Sequence, residues 1–426
     1  MSMKNVLIIA YYFPPLGLSG VQRITKFAKY LPKYGWMPTI LTVKDIYYYG
    51  NDPSLIEEVK NCHIIRTGSL DPLRLRWLFH RKKHIHSDLS ISPQHFFQKL
   101  NRFVFPWIFI PDTKILWLPF VFFQSLRCIK NQPFHAVITT SPPHSSHFIG
   151  LILRRIFGIR WIADFRDSWL GETYDPVPSV IYKKINDWMK NLIIDQADDV
   201  TVVSEDIVRS LKTDSKQDRF HIIYNGFDPE DFRVGHKKGR NQKFTITYCG
   251  TLNHVLDPKF FFHGVNTFLS LHPETRSNIH IKLVGSIYNI HVQQSIIANQ
   301  IQDIIQLTGY VTHQRSIQYL LQSDVLLLLL PAEAGKGVIT GKLFEYMAAE
   351  KPVLAIIPEG EASEILHEYQ TIPSVSPDDD SKIAETIDFM YDRWKTGDLY
   401  RHVNKKMNDT YNREFQSKYL AKLLQQ

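Results

Sequence analysis

The sequence predicts an α/β chain of two parallel-sheet domains in tandem, on three observations. Apolar, β-branched runs alternate with amphipathic helical stretches from Val6 onward. The rhythm stops in a charged, glycine-containing stretch at 231–243, and it restarts at Phe244 in the same order. The 426 residues suit two halves better than one core, and a 44% hydrophobic content lets each half bury its own.

The elements follow in order. Val6–Ala10 reads as a buried first strand, followed by the loop Pro14-Pro-Leu-Gly-Leu-Ser-Gly20. Val21, Ile24, Ala28 and Leu31 then mark one face of a helix, and Thr39–Val43 is a second strand. This β-loop-α-β unit opens a parallel sheet. Further strands are expected at Ala136–Thr140, Arg160–Ala163, Val200–Val203 and His221–Tyr224, with helices at His144–Phe157 and Glu205–Lys212. The aromatic and basic section at about 70–132 interrupts the pattern and reads as an insertion on a first domain of 1–230. After the 231–243 linker, strands are expected at Phe244–Cys249, Ile279–Val284, Ile304–Leu307, Val325–Leu330 and Pro352–Ile357, in a second domain of 244–400. The continuous run Val325–Leu330 suits a strand covered on both faces. A helical tail begins near Ile383 and ends in 401–426.

Composition narrows the function. Cys62, Cys128 and Cys249 are far apart and lack C-x-x-C spacing, which argues against zinc and a disulfide framework and fits a reducing, cytoplasmic setting. The N-terminal apolar run is too short for a spanning helix and lacks a small-residue cleavage site. The stretch Phe103–Phe123 is broken by Pro106, Pro111, Pro119, Asp112 and Lys114, so a regular spanning helix is not expected there. The net charge of +8 is uneven: residues 1–200 carry 25 Lys+Arg against 15 Asp+Glu. With no base-reading motif, this asymmetry favours a phosphorylated ligand or an anionic membrane over nucleic acid. Arg74, Arg76, Arg81, Lys82 and Lys83 beside Trp77, Leu78 and Phe79 fit peripheral attachment to such a membrane.

Four segments carry chemistry-bearing residues. Gly17 and Gly20 lie in a strand-to-helix loop, where backbone N–H groups meet phosphate or simply make a tight turn. Thr139-Thr-Ser-Pro-Pro-His144, continuing to His147, follows a strand and presents hydroxyls and imidazoles. Ala163-Asp-Phe-Arg-Asp-Ser-Trp169 sets Arg166 between two carboxylates, either as a buried pair or as a grip on a sugar, with Trp169 offering a flat apolar face. In Pro331–Ala349, a loop with Gly335, Gly337 and Gly341 enters a helix that Thr340 can cap. Lys342 and Glu345 share a face of that helix, so the cation can meet a phosphate and the carboxylate a ribose diol. A surface ion pair is the other reading.

Taken together, the order of Gly17–Gly20, Thr140-Ser-Pro-Pro143, Asp164-Phe-Arg-Asp-Ser-Trp169, Val202-Val-Ser204, Asn225-Gly-Phe-Asp228, Tyr248-Cys-Gly-Thr-Leu252 and Gly341-Lys-Leu-Phe-Glu-Tyr-Met-Ala348 resembles the family 4 glycosyltransferases, in particular bacterial members acting on surface polysaccharides. The resemblance covers nearly the whole chain. It implies the GT-B fold, with two Rossmann-like domains facing across a cleft and a C-terminal helix returning to the first. It also implies a nucleotide-diphosphate sugar as donor, no required metal or other cofactor, and retention at the transferred sugar. The acceptor it implies is a saccharide, lipid-linked or of a surface polysaccharide, taken at the inner face of the cytoplasmic membrane.

Carried onto this chain, Glu345 matches the carboxylate that holds the donor ribose, and Gly17 and Gly20 match the loop near the phosphates. Gly250, Thr251, Gly337 and Gly341 complete the donor side. Arg166 falls where many members have a histidine near the reacting centre, with Asp167 and His144 beside it. Three positions depart from the pattern. Gly337 stands where the family has the first of two glutamates, Thr251 where an arginine is frequent, and Glu350 where a glycine is usual. Lys342, then Lys259, are the cations left to neutralise the diphosphate. The missing glutamate keeps open a catalytically weak partner subunit, and the fold keeps open a sugar-nucleotide epimerase.

Overall fold

A computed structural model of the chain describes residues 3–17, 19–46, 51–80, 107, 109–170, 179–212, 217–233, 240–253, 255–404 and 411–426. The chain divides into two compact units, Met1–Tyr224 with Arg413–Gln426, and Asn225–Asn412.

The first unit carries strands β1 (Lys4–Ile9), β2 (Trp36–Val43), β3 (His63–Thr67), β4 (Ala136–Ser141), β5 (Arg160–Phe165), β6 (Asp199–Val202) and β7 (Phe220–Ile222). Its helices are α1 (Ser19–Tyr30), α2 (Ser54–Glu58), α3 (Pro72–His80), α4 (Leu118–Asn131), α5 (His147–Phe157), α6 (Val180–Gln196) and α7 (Glu205–Leu211). The sheet order is β3-β2-β1-β4-β5-β6-β7, all parallel. Strand periodicity divides its core: Leu7 and Ile9 join Val137, Trp161 and Ile193 on one face, while Val6 and Ile8 join Ile24, Phe27 and Ile138 on the other.

The second unit holds β8 (Phe244–Cys249), β9 (Ile279–Val284), β10 (Ile305–Gly309), β11 (Val325–Leu329) and β12 (Val353–Ile356), in the parallel order β10-β9-β8-β11-β12. Its helices are α8 (Lys259–Leu271), α9 (Ile290–Ala298), α10 (His313–Leu321), α11 (Gly341–Ala348), α12 (Glu361–Tyr369) and α13 (Asp380–Thr396). The last helix, α14 (Arg413–Leu423), belongs to the first unit. It buries Leu420, Ala421 and Leu423 against the core beneath α1, and Arg160 Nε donates to the Leu423 carbonyl.

Both sheets reverse their strand order beside the first strand, between β1 and β4 and between β8 and β11. Such switch points place ligands beyond the carboxyl ends of the strands. The loops after β1, β4 and β11 are among the segments singled out in the sequence, and the loop after β8 holds the motif Tyr248–Leu252.

Two features differ from the sequence expectation. The strand β3 was not expected; it is an edge strand whose residues are mostly half-buried, so His63-Ile-Ile-Arg-Thr67 lacks a long apolar run. The section at 70–132 ends in α4, a regular helix that buries Val121, Ser125 and Cys128 and packs on β2 and β3. Its aromatics disguise it as foreign to the pattern. Glu350, standing where the resemblance places a glycine, takes a left-handed φ of 54°, a conformation that glycine adopts without strain. Arg81, Lys82, Lys83 and part of Phe103–Phe123 lie outside the described residues. Among the described residues no helix is long and apolar enough to cross a membrane.

Candidate functional site

In the first unit, the site is organised by a buried ion pair that the sequence reading did not anticipate. Asp164, at the end of β5, pairs with Arg23 of α1 at 2.8 Å, and both side chains are almost fully enclosed. Asp164 also accepts from Thr140 (2.9 Å) and Thr201 (2.7 Å), so β4, β5, β6 and α1 converge on one carboxylate. Burial alone would raise its pKa; the Arg23 guanidinium and the hydroxyl of Thr201 outweigh burial and hold it below the usual carboxylate value. Arg23 Nη1 donates in addition to the carbonyls of Ile223 (2.6 Å) and Tyr224 (3.0 Å).

Arg166 therefore does not pair with Asp164. Its Nε donates to the Ser141 carbonyl (2.8 Å), its Nη2 to Pro142 (3.0 Å) and its Nη1 to Gly20. Three of five N–H donors are spent on backbone, which fastens the β4 loop to the first turn of α1 and leaves two for a ligand. A Cβ at Gly20 would lie 2.7 Å from Arg166 Nη1, so a larger residue there would displace this guanidinium. Gly17 sits in the loop that Arg66 and Asp52 hold through the carbonyls of Pro14 and Pro15. Asp167 is exposed beside this cluster.

His144 Nε2 lies 3.1 Å from the Ser168 carbonyl, so this nitrogen carries the proton and donates. Burial lowers the imidazole pKa; Asp112 and Asp167 oppose the shift and Arg166 adds to it. The neutral ring has only Nδ1 left to accept, and that atom is buried without a hydrogen-bond partner among the described residues. Trp169 is not a free sugar-stacking face: it is 5% exposed, the His144 ring stacks on it at 4.8 Å, and its Nε1 donates to Asn186. His147 is fully buried, with Nδ1 2.7 Å from Thr139 Oγ1, which also accepts from Trp161 Nε1. It is a core residue.

In the second unit, the loop after β11 is braced by Glu361 N–H, which donates to the Lys336 carbonyl, and Thr340 Oγ1 caps α11 by accepting from Lys342 N–H. Gly335 is exposed, Gly337 buried, and Gly341 opens the helix. Lys342 and Glu345 are not paired with each other. Lys342 Nζ donates to Tyr248 Oη (2.7 Å), and that hydroxyl donates to the Thr251 carbonyl. Gly250, at the end of β8, has φ 149°, a conformation that side-chain-bearing residues rarely adopt, and its Cα faces the Lys342 ammonium. Glu345 Oε1 accepts from His313 Nε2 at 3.0 Å. Burial raises the Cys249 thiol well above its usual range, Glu345 raises it further and Lys342 opposes, so both charges act on the same few ångströms of β8. The contacts of Lys259 run elsewhere: its ammonium lies 4.7 Å from the Phe260 ring centroid and its N–H donates to Asp257.

The structure thus brings together Gly250, Thr251, Lys342 and, through β8, Glu345. Within the second unit it adds the side chains of Tyr248 and His313 as their anchors. A helix N-terminus, a cation over a glycine and a half-buried carboxylate are the parts needed for a nucleoside diphosphate.

Comparison with known proteins agrees. Residues 90–231 match the model of Glycosyltransferase Family 4, and residues 243–393 match that of Glycosyl transferases group 1. No curated protein matches the sequence. Among solved structures, a glycosyltransferase from Rickettsia africae is similar at 15% identity and a TM-score of 0.65, covering 100% of this chain and 98% of that one. Sucrose-phosphate synthase from Thermosynechococcus elongatus is similar at 15% identity and 0.63, covering 99% and 98%. WaaG, a glycosyltransferase involved in lipopolysaccharide biosynthesis, is similar at 12% and 0.59, covering 98% and 99%. At these identities the likenesses show the GT-B fold and no more. With the two family models together matching more than half of the chain, the chain belongs to the family 4 glycosyltransferases and uses a nucleotide sugar.

Proposed function

We propose that the enzyme transfers its sugar, with retention, to a lipid-linked or surface-polysaccharide saccharide at an anionic membrane surface. The donor diphosphate rests at the start of α11 with Lys342, and the ribose diol on Glu345. The observation that carries this is the pair of separately anchored charges, Lys342 on Tyr248 and Glu345 on His313, one turn apart on the helix that leaves a glycine loop. Charge that builds on the departing diphosphate is stabilised by the helix N-terminus and the ammonium. The phosphate itself takes the acceptor proton, so no protein base is assigned. Arg166, Asp167 and His144 belong to the sugar and acceptor side.

Membrane attachment is supported by exposed apolar and basic side chains on three helices of the first unit. Helix α4 packs on α5, and α5 on α6. They expose Phe123 (61%), Ile156 (59%), Val180 (71%), Ile181 (64%) and Trp188 (62%), and Arg127, Arg155, Lys183 and Lys184 on the same helices are exposed too. Apolar side chains at headgroup level with basic neighbours, each worth about 1 kcal/mol near anionic lipid, give reversible attachment. Liposome flotation tests it: binding is expected to rise with anionic lipid and fall with salt. Indifference to both would favour an acceptor in free solution. The anomeric configuration of the product, read by NMR, tests retention.

A further inference from the structure

Glu345 does not stand alone on its helix. His313 is the first residue of α10, whose start is fixed by Thr312 Oγ1 accepting from Arg315 N–H and by Ser316 Oγ donating to the His313 carbonyl. Its Nε2 donates to Glu345 Oε1 at 3.0 Å, and on its far side Nδ1 lies 3.9 Å from Asp231 Oδ2. The three side chains are 16%, 24% and 19% exposed for His313, Glu345 and Asp231, so each is held yet reachable.

We propose that His313 is a positioning residue for donor binding: it pins Glu345 in the rotamer that presents the carboxylate to the ribose diol. This rests on the reading of Glu345 as the ribose carboxylate. A carboxylate has about four acceptor positions, so one bond from the imidazole leaves the diol enough. Without that bond, glutamate's rotamer freedom must be frozen when the ligand arrives, which weakens binding. The histidine comes from the start of the helix after β10 and the glutamate from the helix after β11, so no local pattern in the sequence joins them.

The test is calorimetry on the full chain. UDP, GDP, ADP and CDP are titrated, and the tightest binder is compared with its 2′,3′-dideoxy counterpart. The wild type is expected to prefer the ribonucleotide. His313→Leu is expected to weaken the ribonucleotide by about tenfold while leaving the dideoxy ligand nearly unchanged, and His313→Gln, which keeps an N–H donor, is expected to recover most of the loss. Glu345→Ala should abolish the preference. If Glu345→Ala abolishes it and His313→Leu, folded by circular dichroism, does not narrow it, the positioning role is wrong and the reading of Glu345 stands. A loss equal for both ligands also overturns the positioning role, since it marks a merely structural residue. A wild type with no preference for the diol overturns both.

Discussion

Replacing Arg23 with methionine removes the buried cation while keeping most of the side chain's length. Asp164 then remains 2% exposed with only the hydroxyls of Thr140 and Thr201 as donors, and the carbonyls of Ile223 and Tyr224 lose theirs. Breaking one side of a buried pair costs about 3–5 kcal/mol. The carboxylate can escape by taking a proton, which at pH 7 from an ordinary pKa of about 3.9 costs roughly 4 kcal/mol, so the two estimates agree. In the wild type the folded pKa of Asp164 is depressed, so its contribution is present above the unfolded value and fades as pH falls through the folded one. In Arg23→Met the buried carboxylate protonates more readily, and the penalty is expected to shrink from pH 7 toward pH 4. Urea unfolding followed by tryptophan emission suits the measurement, because seven of the eight tryptophans precede residue 225. The double variant Arg23→Met, Asp164→Leu should be more stable than Arg23→Met, since an apolar replacement of the whole pair leaves no buried charge. A cost below about 1 kcal/mol, or one that does not vary with pH, would refute the assignment of this pair as the organiser of the first unit.

Three further outcomes follow from the same geometry. Lys342→Ala is expected to weaken a nucleoside diphosphate by roughly 1.5–3 kcal/mol and to spare the nucleoside in calorimetry, since the ammonium has only a negative charge to reward; equal losses would place Lys342 outside the phosphate site. Arg166→Ala is expected to cost roughly 2–4 kcal/mol of stability as well as turnover, because three carbonyls lose their donor. Asp167→Asn, on an exposed side chain, should lower turnover with stability unchanged within about 0.5 kcal/mol; the reverse ranking in unfolding and kinetic assays would exchange their roles.

The central strands were legible because a sheet covered on both faces writes continuous apolar runs. Phe244–Cys249 and Ile279–Val284 are found at the residues expected. Edge position hid β3, and aromatic composition hid α4, since neither follows from a run of branched aliphatics. In the candidate site, the placement of Lys342 and Glu345 on one helix was legible because a spacing of three residues behind a glycine loop is a local pattern. Their anchors were not. Tyr248 and His313 arrive from other strand ends, and Arg23 and Asp164 are 141 residues apart. The partners of Arg166 are backbone carbonyls, which no residue type announces.

The most direct test is nucleoside diphosphate release from nucleotide sugars, measured with and without an extracted membrane-lipid fraction. Release is expected to depend on the acceptor fraction and to collapse in Glu345→Ala. A donor that is isomerised without any acceptor, or an absence of release with every donor and acceptor fraction, would contradict the account.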